Sequence, residues 1–304
     1  MAELGFADGV LFFPVTAFDG KDRVDSEVVE QHIATGVEHG PGAVFAACGT
    51  GEYHALGFDE YEIVVRAAVR ATAGRVPVVA GVGGPLGQAV ACARIAERAG
   101  ARALLVLPPY LVQGPQEGLV AYVQAIAAAS LLPVIVYHRG TAKFSTASIA
   151  RLLEDERVAG IKDGVGDVAL AQEFVLTARR SGRSDVLFFN GLLTAELSQA
   201  AYAAIGVPLY SSAVFAMAPD IATAFYRAYR EGDQEIQARL LDGFYAPLVR
   251  LRDETPGFAV ALIKAGLRLR GVDVGPVRAP LVDPNPDQLE RLRGLLEQGR
   301  ALIA

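Results

Sequence analysis

LPVIVYHRGTAKFSTASIARLLEDERVAGIKD, residues 132–163, contains two short apolar runs on either side of a segment with helical spacing. The runs 132–138 and 158–163 are apolar almost to their last residues, as strands are when both faces of a sheet are covered. Segment 145–154 between them has its apolar residues three and four apart, which favours a helix. The stretch therefore predicts a strand–helix–strand unit of a parallel sheet.

The same alternation recurs along most of the chain. The predicted strands are 9–16, 42–47, 76–82, 101–108, 132–138, 158–163, 185–190 and 207–212. The predicted helices are 25–39, 59–73, 86–99, 116–129, 145–154, 167–180, 194–204 and 217–231. About eight such strand–helix units close most simply into a (β/α)8 TIM barrel. An open doubly wound sheet is the alternative.

After residue 232 the strand pattern stops. Helical patterns cover 233–252, 257–270 and 286–302, and a proline-rich connection, 275–287, leads into the last of them. We therefore predict a barrel domain over 1–232. The remaining residues, 233–304, are predicted to form a C-terminal helical extension that packs on the outside of the barrel.

The composition argues against several classes of partner. The chain has 304 residues, of which 52% are hydrophobic and 20% charged, and its formal net charge is -6. A negative net charge argues against nucleic acid or an anionic membrane as partner. No apolar run approaches the roughly 18 residues that span a bilayer, and the N-terminal residues lack the pattern of a secretory signal. Cys48 and Cys92 show no pairing pattern, so we expect free thiols and a cytoplasmic protein.

Lys162 and Tyr137 end the sixth and fifth predicted strands. In (β/α)8 barrels the catalytic groups stand at the carboxyl ends of the strands. A lysine amine in an apolar site loses its proton readily and becomes a nucleophile, and a phenol beside it can exchange protons with a bound molecule. The alternatives are a solvated Lys162 paired with Asp163 and a Tyr137 that only packs in the core.

Residues at the other strand ends are further candidates. In CGTGEYH, residues 48–54, Gly49 and Gly51 flank Thr50 and let backbone N–H groups face the barrel mouth, a nest suited to a carboxylate or phosphate. A plain turn is the alternative, and Glu52 is expected to fix the loop by accepting backbone hydrogen bonds. The other candidates for binding a substrate are Tyr110, Arg139, Asn190, Gly191, Ser211 and Ser212. The four histidines show no metal-ligand spacing, so no metal site is predicted.

Five features, in this order, resemble one superfamily. They are FPVTAFD (13–19), GTGE (49–52), PPY followed by PQEG (108–118), the strand-end Tyr137 and IKDGVGD (161–167). From about residue 9 to at least residue 270 the chain resembles the Schiff-base-forming class I aldolases and lyases that include dihydrodipicolinate synthase and N-acetylneuraminate lyase. The resemblance implies that Lys162 forms the Schiff base, Tyr137 shuttles protons and Thr50 helps to clamp a keto-acid carboxylate. It also implies an enzyme that needs no cofactor, because the Schiff base with Lys162 takes that role.

Within the superfamily the chain is most similar to dehydratases that act on keto sugar diacids. The similarity rests on CGTGE in place of the synthase's Gly-Thr-Thr-Gly-Glu, on YSSAVF (210–215) and on the tail 264–281. It implies a hydro-lyase that dehydrates and decarboxylates 5-dehydro-4-deoxyglucarate to 2,5-dioxopentanoate, carbon dioxide and water. It further implies a tetramer or dimer in which Tyr110 reaches a neighbouring site.

Two departures from the synthase pattern argue against dihydrodipicolinate synthesis. Gly49 replaces the first of the synthase's paired threonines, and the synthase's arginine beyond the strand tyrosine is absent, with Arg139 closer to Tyr137. His138 stands where the dehydratases usually carry asparagine, so its role is left open. The alternatives are another class I lyase, such as a 2-keto-3-deoxy sugar-acid aldolase, and a catalytically silent keto-acid binding protein.

Overall fold

Eight parallel strands close into a barrel in the order of the sequence. The computed structural model describes residues 4–304. The strands are β1 (Leu11–Phe12), β2 (Ala43–Ala46), β3 (Val78–Gly84), β4 (Ala103–Pro109), β5 (Val134–His138), β6 (Val158–Asp163), β7 (Leu187–Asn190) and β8 (Leu209–Ser212). Because β1 pairs with both β2 and β8, the barrel is closed. This confirms the predicted (β/α)8 fold and excludes the open sheet.

The helices that follow the strands cover the outside of the barrel. They are α1 (Ser26–Val37), α2 (Phe58–Thr72), α3 (Leu86–Ala99), α4 (Gln116–Ala127), α5 (Thr146–Leu152), α6 (Val168–Arg180), α7 (Gln199–Ala204), α8 (Val214–Met217) and α9 (Pro219–Glu231). A short 3₁₀ helix, Ala195–Leu197, precedes α7. The predicted helices are therefore present, although the patterns at 194–204 and 217–231 are each divided.

Two prolines explain two of the departures from the predicted bounds. Pro219 is the first residue of α9, and Ala218 before it has a φ of -143°, because proline pushes the preceding residue out of the helical region. Pro14 has no backbone N–H, so it cannot continue the ladder of β1. The predicted strand 9–16 is accordingly paired only over Leu11–Phe12.

The C-terminal residues form helices that share a core with the barrel. They are α10 (Gln234–Leu240), α11 (Ala246–Arg252), α12 (Phe258–Leu269) and α13 (Pro286–Ala301), and a π-helical turn, Leu241–Tyr245, joins α10 to α11. Phe12 and Phe215 of the barrel lie in one hydrophobic cluster with Phe244, Leu262 and Leu292 of the extension. The extension thus packs on the barrel. The division of the chain at residue 232 stays a prediction.

Apolar side chains fill the inside of the barrel below its mouth. Phe45, Val79, Leu105, Ile135 and Phe189 belong to one buried cluster there, as the interior layers of such barrels require. This packing closes the barrel beneath the cavity described below. Within residues 4–304, none of the helices is long and apolar enough to cross a bilayer.

Candidate active site

A cavity of about 820 Å³ opens at the carboxyl ends of the strands. Its barrel side includes Phe13, Tyr137, Lys162 and Ser211. The turn that joins α11 to α12, residues 253–257, lines it from the extension. This volume is in the range of sites that bind small molecules. The barrel and its extension therefore build the site together.

Lys162 points into this cavity from β6 and is 5% exposed. Its Nζ lies 4.1 Å from the centroid of the Tyr137 ring and 4.4 Å from that of Phe13. Neighbouring residues of a strand face opposite ways, so Asp163 points outward. Its carboxylate accepts hydrogen bonds from the Tyr202 hydroxyl and from the N–H groups of the following loop. The solvated pair of Lys162 and Asp163 is therefore excluded.

Two glycines make room for the reactive side chains. A Cβ on Gly191 would lie 2.7 Å from both Cγ and Cε of Lys162. A Cβ on Gly164 would lie 2.8 Å from the Tyr137 ring and 2.9 Å from its hydroxyl. Carbon atoms do not approach so closely, so any larger residue would displace Lys162 or Tyr137. The glycines after β6 and β7 are thus needed for the shape of the site.

The rest of IKDGVGD holds the loop after β6 in place. Asp163 Oδ1 accepts from the Val165 N–H at 3.0 Å and Oδ2 from the Gly166 N–H at 3.2 Å. Asp167 then caps α6, its carboxylate accepting the Leu170 N–H at 3.0 Å. Both aspartates satisfy backbone donors, which fixes the position of β6 and of Lys162 at its end.

Tyr137 is hydrogen-bonded on both sides. Its hydroxyl donates to the Gly191 carbonyl at 2.9 Å and accepts from Arg139 Nη1 at 2.8 Å. Burial by itself raises the pKa of the phenol, but the charges of Lys162 and Arg139 outweigh it and lower the pKa of Tyr137 below its usual value. The phenol is therefore placed to give up and regain a proton next to the Lys162 amine.

Within the described part of the chain, the loop after β2 contains unpaired backbone donors at the edge of the cavity. Gly49 and Thr50 line the cavity, whereas Gly51 is buried behind them, and its carbonyl accepts from the Thr16 hydroxyl at 2.7 Å. In residues 4–304 the N–H groups of Gly49, Thr50 and Gly51 donate to no protein group. A Cβ on Gly49 would meet no atom within 4 Å, so glycine leaves this part of the cavity open. The loop can accommodate an anion, as the nest interpretation predicts.

Glu52, next in the loop, is held by the extension. It has a φ of 54°, a left-handed conformation that residues other than glycine seldom adopt. Its carboxylate is fully buried, and Lys264 Nζ lies 2.9 Å from Oε1. Oε2 accepts the backbone N–H of Arg278 at 2.8 Å, which confirms the predicted role of Glu52. Lys264 also donates to the Pro276 carbonyl at 2.7 Å, so α12 and the segment after it fix the loop that follows β2.

Comparisons with known proteins identify the family of this chain. The model of the dihydrodipicolinate synthetase family matches residues 7–299. The chain belongs to this family. A relative from Streptomyces coelicolor, named probable 5-dehydro-4-deoxyglucarate dehydratase 1, is 52% identical over 99% of this chain and 96% of its own length. A relative from Azotobacter vinelandii, named probable 5-dehydro-4-deoxyglucarate dehydratase, is 43% identical over 96% of this chain and 95% of its own length.

Solved structures of the dihydrodipicolinate synthetase family have the same fold. Dihydrodipicolinate synthase from Oceanobacillus iheyensis superposes with a TM-score of 0.88 at 23% identity, covering 98% of this chain and 97% of that one. A putative dihydrodipicolinate synthetase from Pseudomonas aeruginosa superposes with a TM-score of 0.85 at 27% identity, covering 97% of this chain and 100% of that one. The family membership predicted from the motifs is therefore confirmed.

Strand alternation sorts the other predicted site residues of this family member. Gly191, Arg139 and Ser211 line the cavity. Asn190 and Ser212 lie one position away from Gly191 and Ser211 and are fully buried outside it. The Asn190 amide donates to the Ala195 carbonyl at 3.1 Å and the Ser198 hydroxyl at 3.0 Å. The Ser212 hydroxyl bonds to the Glu196 carboxylate. Their predicted contact with a substrate is therefore not supported by the structure.

Tyr110 and His138 also lie away from the cavity lining. Tyr110, in the loop after β4, is 64% exposed. His138 points outward from β5, where Nδ1 accepts the Phe144 N–H at 2.9 Å and the ring packs edge-on to Phe174. Burial lowers the pKa of His138, with the charge of Asp163 acting against it. The contacts of His138 are those of a neutral structural residue between the barrel and α6.

The cavity also contains residues that the sequence did not indicate. Phe13 and Cys48 line it from the ends of the first two strands, and Arg252 lines it from the end of α11. Phe13 is the first residue after β1 and lies inside the barrel with Leu11, two positions before it, whereas Arg252 comes from a helix with no chemical motif. Within residues 4–304 no group of three or more histidine, cysteine or acidic side chains could hold a metal ion.

Proposed function

We propose that the protein is a Schiff-base hydro-lyase that converts 5-dehydro-4-deoxyglucarate to 2,5-dioxopentanoate, carbon dioxide and water. The observation that carries the proposal is the Lys162 amine, buried at the barrel mouth against the ring of Tyr137. The substrate is assigned from relatives of this family member that are 52% and 43% identical and bear the name of a dehydratase for it.

The near carboxylate of the substrate sets the position of its ketone. The free N–H groups of Gly49, Thr50 and Gly51 lie in a loop that Glu52 anchors, and they suit a carboxylate. The Thr50 hydroxyl adds a donor at the same edge of the cavity. Binding there leaves the adjacent ketone carbon to Lys162.

Lys162 then forms the covalent intermediate. Its neutral amine attacks the ketone, and Tyr137 moves protons as the carbinolamine loses water and becomes an iminium. The hydrogen bond from Arg139 stabilises the phenolate that Tyr137 becomes when it gives up its proton. Since the phenol also donates to the Gly191 carbonyl, its position stays fixed through both proton transfers.

The iminium drives both later steps as an electron sink. It acidifies the neighbouring methylene, whose deprotonation gives an enamine that expels the hydroxyl one carbon further along. The unsaturated iminium then accepts the electron pair of the bond to the far carboxylate as carbon dioxide leaves. Protonation and hydrolysis release 2,5-dioxopentanoate and the free amine. These reaction steps require no cofactor, because the iminium on Lys162 serves as the electron sink.

We also propose a cytoplasmic homo-oligomer, a tetramer or a dimer. Both cysteines are buried free thiols, which suits a reducing compartment. Tyr110, Leu111 and Val112 in the loop after β4 are 64%, 78% and 65% exposed, an apolar run that favours contact with another subunit. Tyr110 would then contribute to a neighbouring site rather than to its own.

Product analysis tests the proposed reaction. The purified protein is incubated with 5-dehydro-4-deoxyglucarate while carbon dioxide and the aldehyde product are followed, with Lys162→Ala as the blank. We expect one equivalent of each per substrate consumed. Release of pyruvate by carbon–carbon cleavage would indicate an aldolase instead. Binding without an adduct that borohydride traps would indicate a silent binding protein.

A further inference from the structure

Arg252 is a second arginine in the cavity, and it comes from the extension. It ends α11 and faces the mouth of the barrel. Nε donates to Asp253 Oδ1 at 2.7 Å, and Nη1 donates to the Thr194 hydroxyl at 2.7 Å. Thr194 follows Gly191, the glycine packed on Lys162, in the loop after β7. The guanidinium is therefore fixed to the loop that borders the nucleophile.

The remaining edge of this guanidinium is available to a ligand. In residues 4–304 its Nη2 has no hydrogen-bond partner, although the side chain is only 16% exposed. The paired Asp253 side chain is 59% exposed, so water weakens its attraction for the guanidinium. A largely buried guanidinium with a free Nη2 suits a carboxylate, which arginine binds through two parallel hydrogen bonds.

Arg139 and the nest are committed to the other end of the substrate. Arg139 Nη1 is bonded to the Tyr137 phenol, whose proton transfers take place at the ketone carbon. The N–H groups of Gly49, Thr50 and Gly51 suit the carboxylate beside that ketone. A diacid with its ketone next to one carboxylate still has a second carboxylate several carbons away. Among the lysine and arginine side chains that line the cavity, Lys162, Arg139 and Arg252, only the last is not engaged at the ketone end.

We infer that Arg252 binds the far carboxylate of a keto diacid and so selects diacids over keto monoacids. This inference rests on the proposed function, because it takes Lys162 as the point of attachment. The carboxylate that Arg252 holds is the one that leaves as carbon dioxide, so the contact acts before that step. Loss of Arg252 therefore raises KM more than it lowers kcat.

Two keto acids of equal length test the inference. 2-Oxoadipate has six carbons and two carboxylates, and 2-oxohexanoate has the same chain with one. The fraction of Lys162 that borohydride traps is measured by mass spectrometry against the concentration of each acid. In Arg252→Gln we expect 2-oxoadipate to bind about ten- to a hundredfold more weakly, the range for a lost hydrogen bond to a charged group. Binding of 2-oxohexanoate should be unchanged within error.

Matched variants distinguish a selective loss of diacid binding from a general loss of keto-acid binding. Arg250→Gln changes an exposed residue of the same helix and should leave both acids unaffected. Arg139→Gln should weaken both acids alike, because it acts at the ketone end. Arg252→Lys keeps the positive charge but lacks the planar guanidinium. It should weaken binding of 2-oxoadipate less than Arg252→Gln does and leave binding of 2-oxohexanoate unchanged. It replaces Arg252→Gln if that variant does not fold.

The inference is overturned if Arg252→Gln weakens both acids equally, weakens neither, or if Arg139→Gln shows the selective loss instead. The proposed function fails separately, if no keto acid yields an adduct on Lys162 of the unchanged protein.

Discussion

Two lysines are buried in this protein, and their surroundings differ in one respect. Lys264 is fully buried, and its amine reaches the Glu52 carboxylate at 2.9 Å and the Pro276 carbonyl at 2.7 Å. Lys162 is 5% exposed, and its amine lies over the rings of Phe13 and Tyr137 at the edge of an open cavity. One amine has protein acceptors for its protons, and the other faces space for a ligand.

This difference separates a structural lysine from a reactive one. Burial lowers the pKa of Lys264, but the charge of Glu52 opposes the shift, and its protons are engaged in hydrogen bonds. An amine so bonded has no free lone pair and no access to a ketone. At Lys162 the pKa of the neighbouring Tyr137 is lowered, and the phenolate it forms can take the proton that a nucleophilic amine must lose. Burial alone therefore does not identify a catalytic lysine, whereas burial beside a cavity and a proton acceptor does.

The largest effect is expected from Lys162→Ala. The variant should lose essentially all turnover, because no other group can provide the electron sink for dehydration and decarboxylation. Lys143→Ala, which changes an exposed lysine, serves as the control and should keep its activity. Steady-state assays on both variants, with circular dichroism to check folding, make the measurement. Substantial turnover by folded Lys162→Ala would contradict the assignment.

Tyr137→Phe should separate chemistry from binding at the reactive lysine. The change removes the hydroxyl but keeps the ring over the amine, so stability should change little. A positioned proton transfer contributes about a hundred- to ten-thousandfold in rate, and kcat should fall by that factor. KM should change much less, since the carboxylate contacts remain. If kcat stays above about a tenth of the original with chemistry rate-limiting, the proton moves by another route.

Lys264→Met should act on stability rather than on chemistry. It leaves Glu52 as an unpaired buried carboxylate, and breaking such a pair costs about 3–5 kcal/mol in the free energy of unfolding. Denaturant titration measures the loss. Replacing Glu52 by glutamine in the same chain should recover part of it, because the uncompensated charge is then gone. A Lys264→Met protein of unchanged stability would show that the pair does not hold the extension to the loop.

Glu196 is a second buried carboxyl, and it bonds to the Ser212 hydroxyl whereas Glu52 bonds to a lysine. Its effect on stability is expected to be smaller and to depend on pH. Burial raises the pKa of Glu196 to about 7, with the hydrogen bond from Ser212 acting against it. The folded protein thus holds this proton more tightly than the unfolded chain. The resulting stability, up to about 3 kcal/mol, is complete below about pH 4.5 and is lost as the pH rises through about 7.

Glu196→Gln removes this titration. The free energy of unfolding of the unchanged protein should therefore fall, relative to that of the variant, between pH 4.5 and pH 8. Denaturant titrations at these two pH values make the comparison. Curves that run parallel over this range would contradict the shifted pKa.

The barrel and the ends of its strands could be predicted because their signals are local. Continuous apolar runs place β5 and β6 within a few residues, and Tyr137 and Lys162 follow at their ends. The same rule misplaced Asn190 and Ser212, because it counted strand ends without the alternation of faces. In the sheet, Tyr137, Lys162 and Phe189 are in register inside the barrel, and Asn190 is in register with Asp163 outside it. Alternation counted from Lys162 would have separated the two sets.

The contribution of the extension could not be predicted from local patterns. Arg252 and Lys264 lie on helices whose sequences show only packing faces, and their partners Thr194 and Glu52 are far away along the chain. Such contacts depend on how α11 and α12 dock on the barrel. The motif GTGE was nevertheless informative, because Glu52 was expected to fix its loop and does so with the Arg278 N–H and Lys264 as partners.

Trapping with borohydride shows which lysine forms the Schiff base. The protein is incubated with pyruvate and borohydride, digested and mapped by mass spectrometry. Reduction converts the Schiff base to a stable secondary amine, which adds the mass of the reduced keto acid to one lysine. We predict the label on Lys162 alone, with Lys264 unmodified although both lysines are buried. A label on Lys264 or Lys143, or bound keto acid that borohydride never traps, would contradict the account.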